Sequence, residues 1–143
     1  MIRIGFYGDA SHIANWESSL AARLPAFEIN ELLSAAGAAS DVALVWAPPP
    51  HAFASCAELR GIIMQGQGVD HMMRDSTVPR DIPLVRLIDP DMANALSHWA
   101  ILNALDFWRD GAAYRAQQAT RHWRSLPQRQ ATGARVGILG VGA

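Results

Sequence analysis

Five short segments rich in apolar residues, each followed within two positions by glycine, proline or a polar residue, restrict most strongly how this chain can fold. We interpret residues 2–7, 27–30, 42–46, 61–65 and 83–87 as β-strands. Several of these runs are apolar at consecutive positions, which is typical of parallel strands covered on both faces. Because helical or loop segments separate the runs, the sequence predicts an α/β fold with a flavodoxin-like, doubly wound parallel sheet.

Composition removes several classes of function. All twelve basic residues other than histidine are arginines, so the chain has no lysine for a Walker A loop, a Schiff base or a kinase site. The formal net charge of -1 gives no electrostatic reason to expect nucleic acid or an anionic membrane as a partner. The N-terminus lacks the features of a secretory signal, and the single Cys56 cannot form an internal disulfide. We therefore expect a cytoplasmic protein that neither binds nor crosses a membrane.

The hydrophobic period changes after the fifth run. Asp89-Pro90-Asp91 is typical of a helix start, with a capping carboxylate, a proline in the first turn and an acidic residue near the positive end of the dipole. We expect one long helix over residues 91–120, with Gly111 weakening it by roughly 1 kcal/mol relative to alanine. Its apolar surface is wide enough to need more than one packing partner.

The loop Gly66-Gln67-Gly68 directly follows the fourth run. Ligands of doubly wound sheets bind at the carboxyl ends of the strands, and successive backbone N–H groups there can hold a carboxylate. The two glycines would allow the ligand to approach the backbone closely. A simple turn without a ligand is the alternative interpretation, and the short motif taken by itself favours it slightly.

A second glycine pair lies at the end of the chain, after an expected strand at residues 135–139. Gly140 and Gly142 match the first two glycines of a Gly-x-Gly-x-x-Gly dinucleotide motif, in which a helix N-terminus binds the pyrophosphate. The third glycine, the helix and the acidic residue for the ribose are expected beyond Ala143. A plain glycine turn is the alternative interpretation.

Six segments together resemble the D-isomer-specific 2-hydroxyacid dehydrogenases, and among them the bacterial glyoxylate/hydroxypyruvate reductases. The segments are DVALVWAPP, LRGIIMQGQGVD, IPLVRLIDPDM, YRAQQ, HWRSLP and VGILGVG. They cover most of the chain from about residue 41 onward, in the order and at the spacing of that family. The resemblance implies a substrate-binding domain at residues 1–90, an interdomain and dimerisation helix at 91–120, and a connector at 121–143. That connector would include the first strand of a truncated Rossmann domain for NAD(P).

The resemblance also implies the residues of a substrate site. Backbone amides of Gln67 and Gly68 would bind the carboxylate of a small 2-keto or 2-hydroxy acid, with Gly66 and Asp70 shaping the loop. Trp46 would form a wall of the substrate cleft; a place in the hydrophobic core is an equally weighted alternative for it. A homodimer through the long helix is expected.

The family's catalytic Arg, Glu and His are expected beyond Ala143. None of the histidines of this chain matches the catalytic position, and His98 is a departure, since related sequences often carry Glu there. The histidines are His12, His51, His71, His98 and His122. We therefore expect no catalytic residue and no metal site in this chain. As a fragment it would be inactive and hold no cofactor, while the intact enzyme would use NAD(P)H.

Two other functions remain open from the residues alone. A stand-alone flavodoxin-like binding module is one, although Gly8–His12 has too few hydroxyl groups to resemble a flavin phosphate loop. A response-regulator receiver is excluded, because it would need an aspartate after the third strand and a lysine after the fifth. The second function that remains open is a non-catalytic dimerisation module, which is compatible with an enzyme fragment.

Overall fold

The computed structural model describes residues 1–140, and its chain forms two compact units. The first unit is Met1–Asp89, and the second begins at Pro90. Among the described residues, no helix combines the length and apolar character needed to cross a bilayer.

The first unit is built on a five-stranded sheet. Its strands are β1 (Ile2–Tyr7), β2 (Phe27–Glu31), β3 (Val42–Val45), β4 (Gly61–Met64) and β5 (Leu84–Arg86). All neighbouring strands are parallel, in the order β2-β1-β3-β4-β5. This is the flavodoxin-like order, so the predicted fold class is confirmed. Helices α1 (Ile13–Ala21) and α2 (Asp70–Arg74) belong to the same unit.

One face of the sheet is covered by α1. Ile4, Phe6 and Leu44 form its buried centre, and apolar residues of α1 and its flanks pack on them. The covering side chains include Ile13, Trp16, Leu20 and Leu24. The other face carries the larger core, in which loops and α2 pack on Ala43, Val45, Ile62 and Met64. Burial on both faces explains why the strands are apolar at consecutive positions.

Cover on the α1 face decreases across the sheet. Phe6, Leu44, Ile63 and Val85 are register partners on four successive strands and lie on one face. Their relative exposures are 3%, 4%, 40% and 53% in that order. Within the first unit, therefore, α1 protects the β1–β3 part of this face and leaves apolar side chains of β4 and β5 accessible.

An ion pair joins the starts of two neighbouring strands. The Arg3 guanidinium donates to both carboxylate oxygens of Asp41, at 3.1 and 3.0 Å, and the Arg3 backbone N–H donates to the same carboxylate at 2.9 Å. The hydrogen bonds from the guanidinium, and after them the one from the backbone N–H, hold the pKa of Asp41 far below its ordinary value. The pair thereby fixes the entry of β3 beside β1.

The second unit contains two helices instead of the single long helix expected over residues 91–120. Helix α3 spans Pro90–Trp108 and α4 spans Gly111–Ala119. The break lies at Asp110, whose φ of 57° is in the left-handed region and cannot continue a right-handed helix. A side chain at Gly111 would collide with the Asp106 carboxylate, which pairs with Arg115 through two 2.7 Å hydrogen bonds. The sequence prediction of an uninterrupted helix is therefore wrong.

The expected strand at residues 135–139 is not formed among the described residues. This segment has no hydrogen-bonded neighbour strand within residues 1–140, and the sheet of the first unit contains only β1–β5. A β-strand needs a partner for its backbone groups, so an apolar run alone does not produce one.

Candidate functional site

The candidate site lies where three neighbouring strands end. The hydrogen-bond ladder continues one residue beyond β3 and β4, because the Trp46 N–H donates to the Tyr7 carbonyl at 2.7 Å and the Gln65 N–H donates to the Val45 carbonyl at 2.9 Å. Gly8 and Asp9 follow β1, Trp46 follows β3, and residues 65–68 follow β4. The carboxyl ends of β1, β3 and β4 therefore present their loops at one edge, where doubly wound sheets bind ligands.

The Gly66-Gln67-Gly68 loop presents two backbone N–H groups without a hydrogen-bond partner among residues 1–140. Neither the Gln67 nor the Gly68 N–H donates to another group of the chain. The loop itself is held, since the Gly66 carbonyl accepts from the Leu87 N–H at 3.2 Å and the Gln67 side chain donates to the Asp89 carbonyl at 3.5 Å. Two N–H donors without a partner, on a loop that is held in place, can bind a ligand through its anionic oxygen.

Trp46 lies on the surface next to this loop. Its relative exposure is 54%, so the alternative of a core tryptophan is wrong. Its six-membered ring packs on Gly66, where a β-carbon would collide with Cζ3 and lie 3.2 Å from Cη2. Gly66 has no positive φ, so glycine is required here for the close approach of the indole rather than for backbone conformation. Trp46 and the loop are therefore parts of one structure.

A pocket of about 300 Å³ lies beside Trp46, lined by Asp9, His12, Trp46 and Gln65. The Gln65 side chain crosses from β4 toward β1, donating to the Leu44 and Tyr7 carbonyls at 3.4 Å each. No motif in the sequence indicates Asp9, His12 or Gln65 as site residues. The signal that points to them is their position just after the ends of β1 and β4.

Asp9 is the charged group of this pocket. Its carboxylate accepts a 2.9 Å hydrogen bond from the Ser11 N–H. Hydrogen bonds from the hydroxyl and the backbone of Ser11 lower the pKa of Asp9. The carboxylate is therefore ionised at neutral pH, so it accepts hydrogen bonds and repels other anions.

The expected cofactor loop is described only as far as its first glycine. Gly140 has a φ of 86°, a left-handed conformation that suits the tight turn of a dinucleotide motif, and nothing lies within 4 Å of the position that a β-carbon would take. Gly142 lies outside the described residues. Within residues 1–140, no three His, Cys, Asp or Glu side chains come together in a group that could hold a metal ion.

The second unit has a different kind of surface. An open hollow of about 920 Å³ lies between α4 and the segment that follows it, with Tyr114 and Trp123 stacked at 5.6 Å between ring centroids. Large apolar side chains along α3 are each more than half exposed. They are Leu96, Trp99, Ile101, Leu102, Leu105 and Phe107.

Comparison with known proteins gives relatives over almost the whole chain. Glyoxylate/hydroxypyruvate reductase A of Yersinia enterocolitica is 33% identical over 146 residues, which cover 99% of this chain and 47% of that protein. The protein of the same name from Serratia proteamaculans is 31% identical over the same shares. No family model matches the chain. The chain thus spans about half the length of the curated relatives that it matches.

Solved structures give the same result. A D-isomer-specific 2-hydroxyacid dehydrogenase from Xanthobacter autotrophicus, in complex with NADPH and MES, matches with a TM-score of 0.77 and 29% identity, over 97% of this chain and 45% of that one. An NADPH-dependent glyoxylate/hydroxypyruvate reductase from Sinorhizobium meliloti, in complex with NADP and sulfate, matches with a TM-score of 0.70 and 28% identity, over 92% and 42%. The chain is therefore a homologue of the N-terminal part of the D-isomer-specific 2-hydroxyacid dehydrogenases, as its six segments indicate.

Proposed function

We propose that this chain provides the substrate-binding part of an NAD(P)H-dependent dehydrogenase that reduces glyoxylate, hydroxypyruvate or a similar small 2-keto acid. The names of its relatives and the NADPH or NADP in their structures support this assignment. The observation that carries it is the pair of unpartnered N–H groups of Gln67 and Gly68 at the carboxyl end of β4. Residues 1–90 would be the substrate domain, 91–120 the interdomain helices, and 121–143 the connector to the cofactor domain.

In this proposal the substrate carboxylate accepts hydrogen bonds from both backbone amides. Gly66 lets the Trp46 indole pack directly on the loop, and the exposed part of the ring forms a wall that shields one side of the bound acid from water. Hydrogen bonds to an anion are about twice as strong as neutral ones, and exclusion of water strengthens them further. The chain thereby fixes the position and orientation of the substrate.

The reduction itself would need groups that this chain is not expected to contain. A nicotinamide bound beyond Gly140 would supply the hydride, and an acid–base pair would supply the proton. We expect the 143-residue polypeptide to bind a small acid but to show no hydroxypyruvate-dependent oxidation of NADPH above background. Measurable turnover by the purified chain would contradict this part of the proposal.

The binding step can be tested by amide-resolved NMR titration of the chain with glycolate, a non-reducible analogue of glyoxylate. We expect the largest shifts at the Gln67 and Gly68 amides, and none with glycolamide, which lacks the carboxylate. The variant Gln67→Pro removes one N–H donor and should abolish binding. The comparison variant Gln67→Ala keeps the N–H and loses only the side-chain hydrogen bond to the Asp89 carbonyl, so it should weaken binding far less than proline does. Glycolate affinity unchanged in Gln67→Pro, with the fold intact by circular dichroism, would overturn the site.

We further propose that α3 forms a homodimer interface. The apolar side chains along it are too many and too exposed for a solitary helix, and exposed patches of this kind mark protein contacts. This surface also supports a dimerisation module as the second candidate function, and the two are compatible. Only binding of an acid at Gln67 and Gly68 distinguishes the enzyme part from a pure dimerisation module.

A further inference from the structure

We infer that the open hollow beside α4 binds a nucleoside phosphate, with the base stacked on Trp123 and the phosphates held by Arg109 and Arg121. The ligand is a free nucleotide such as a nucleoside diphosphate, and it is distinct from the dinucleotide expected at Gly140. The inference goes beyond the proposed function and does not depend on it, because every residue that lines the hollow belongs to the second unit.

The charge of the chain is divided along the sequence. The whole chain has a formal net charge of -1, but residues 109–135 contain six arginines and one aspartate and so carry +5. Residues 1–108 contain six arginines and twelve acidic residues and carry -6. A basic segment attracts anionic ligands locally, even in a protein that is slightly acidic as a whole. The low net charge therefore does not exclude a phosphate ligand at the hollow.

Two arginines that line the hollow carry charges that no carboxylate neutralises within the described part of the chain. The third, Arg115, is neutralised, because its guanidinium pairs with Asp106 at 2.7 Å. The Arg109 guanidinium donates to the uncharged side chain of Gln128, and Arg121 forms no ion pair among residues 1–140. Guanidinium groups bind phosphate through paired, charge-assisted hydrogen bonds, so these two groups are available to a phosphate ligand.

Trp123 provides an aromatic surface at the same hollow. Its ring stacks on Tyr114 with 5.6 Å between the centroids and 23° between the planes, and 78% of Trp123 remains exposed. Tyr114 is itself held in place, since its hydroxyl accepts from the Leu126 N–H and from the Gln128 side chain, both at 3.0 Å. A flat aromatic ring that is supported from behind and open to solvent can stack on a base of any sequence.

The backbone of Arg121 is strained. Its φ of 52° lies in the left-handed region, at the position after α4 where helices usually carry glycine. The turn is otherwise an ordinary helix end, since the His122 N–H donates to the Gln117 carbonyl at 2.9 Å. Strained residues other than glycine cluster at ligand-binding sites, and the Arg121 side chain lines the hollow. The strain therefore supports a role for this guanidinium in binding.

The size of the hollow suits a ligand larger than free phosphate. Its volume of about 920 Å³ lies at the upper end of the range of roughly 300–1,000 Å³ that is typical of small-molecule sites. Free phosphate would leave most of this space and the Trp123 ring unused, whereas ADP has a base for the ring and phosphates for the arginines. The Gln118 carboxamide also lines the hollow and offers a donor and an acceptor to the ribose hydroxyls.

Three ligands separate these contributions when they are titrated into the 143-residue chain and followed by calorimetry and NMR. ADP has the base and the phosphates, adenosine has the base alone, and pyrophosphate has the charge alone. A stacked base and a charge-assisted hydrogen bond each correspond to roughly tenfold in affinity. We therefore expect ADP to bind about tenfold or more tightly than adenosine or pyrophosphate, and to shift the Trp123 indole resonance. Added salt should weaken the binding of ADP and not that of adenosine.

The variant Arg121→Gly separates binding from stability. Glycine adopts the left-handed conformation without strain, so the melting temperature should be unchanged or higher, while ADP affinity should fall about tenfold. Trp123→Leu should lower the affinities for ADP and adenosine about tenfold and leave that for pyrophosphate unchanged. Arg23→Gln is the matched control, because it removes an exposed arginine of the first unit and should leave all three affinities as they are.

Several results would overturn the inference. Equal affinities for ADP and pyrophosphate, or an ADP affinity that is unchanged in Arg121→Gly, would show that no nucleotide site is built here. ADP-induced shifts confined to Gly140 and its neighbours would assign the nucleotide to the cofactor loop instead. Binding of hexa-adenylate a hundredfold tighter than ADP would replace the free nucleotide by a nucleic acid strand. Each of these results leaves the acid site at Gln67 and Gly68 standing, since glycolate binding is measured independently.

Discussion

The six-membered ring of Trp46 lies against the α-carbon of Gly66 so closely that no side chain fits at position 66. Trp46, the residue directly after β3, thus limits the conformations available to the loop after β4. A change at either position is transmitted to the other, which allows the wall and the anion-binding amides to be tested together.

Gly66→Ala should displace the Trp46 ring and disturb the amides of Gln67 and Gly68. We expect glycolate binding to fall about tenfold or more, together with a change in Trp46 indole chemical shift. Gly61→Ala is the matched control in β4, because a β-carbon there would meet Pro83 only at an ordinary 3.7 Å. Unaltered glycolate affinity in Gly66→Ala would show that loop and indole are not coupled.

Asp41→Asn should lower stability in a manner that depends on pH. The pKa of Asp41 is lowered in the folded state by Arg3, so its contribution is fully present above the ordinary carboxyl value of about 3.8 and is lost as the pH falls below that. The difference in melting temperature between wild type and variant should be largest at pH 5–7 and should shrink below about pH 4.

Asp70→Asn is the control for the pH dependence of the melting temperature expected for Asp41→Asn. The Asp70–Arg74 pair is exposed, with its closest N–O distance at 3.5 Å, and such surface pairs contribute little. We expect its melting temperature to follow that of the wild type at every pH. A pH-independent loss of stability in Asp41→Asn would exclude the linkage.

Gly37→Ala should be severely destabilising. Gly37 is buried, and a β-carbon there would collide with the backbone carbonyl oxygens of Glu31 and Leu32, which cannot move like a flexible side chain. We expect a loss of about 3 kcal/mol or more in the free energy of unfolding, measured by urea denaturation. Gly137→Ala, where nothing lies within 4 Å, should stay within about 0.5 kcal/mol of the wild type.

A double variant, Trp99→Ser with Leu102→Glu, should weaken self-association. Both side chains are more than half exposed on α3, and a charge in an apolar interface opposes association. Sedimentation should give a dimer or larger species for the wild type and a shift toward monomer for the variant. Leu33→Glu changes a leucine of the first unit that is also more than half exposed, and it should not alter the sedimentation of the dimer. A wild-type chain that is monomeric at all concentrations would contradict the interface.

Most of the first unit can be predicted from the sequence because its central strands, β1 and β3, are buried on both faces. Consecutive apolar residues such as Val42–Val45 follow directly from that burial, and the flavodoxin-like order places them beside β1 and β4. The helix break at Asp110 cannot be predicted in the same way. A left-handed aspartate and an Asp106–Arg115 pair nine residues apart depend on three-dimensional packing, which has no periodic signal.

The candidate site likewise has one part that the sequence predicts and one part that it does not. The Gly66-Gln67-Gly68 loop has a short motif and a position after a strand, so its importance is visible in the sequence. The pocket formed with Asp9 and Gln65 depends on which strands become neighbours. Although β1 and β4 are about fifty residues apart in sequence, only β3 separates them in the sheet.

Because the tips of β1, β3 and β4 are hydrogen-bonded to one another beyond the strands, the candidate site is preorganised. A ligand that binds there need not order a loop first, so little conformational entropy is lost on binding. The site can then distinguish even a ligand with few polar atoms by the positions of those atoms. Selectivity at this edge of the sheet would depend on fixed distances rather than on closure of a mobile segment.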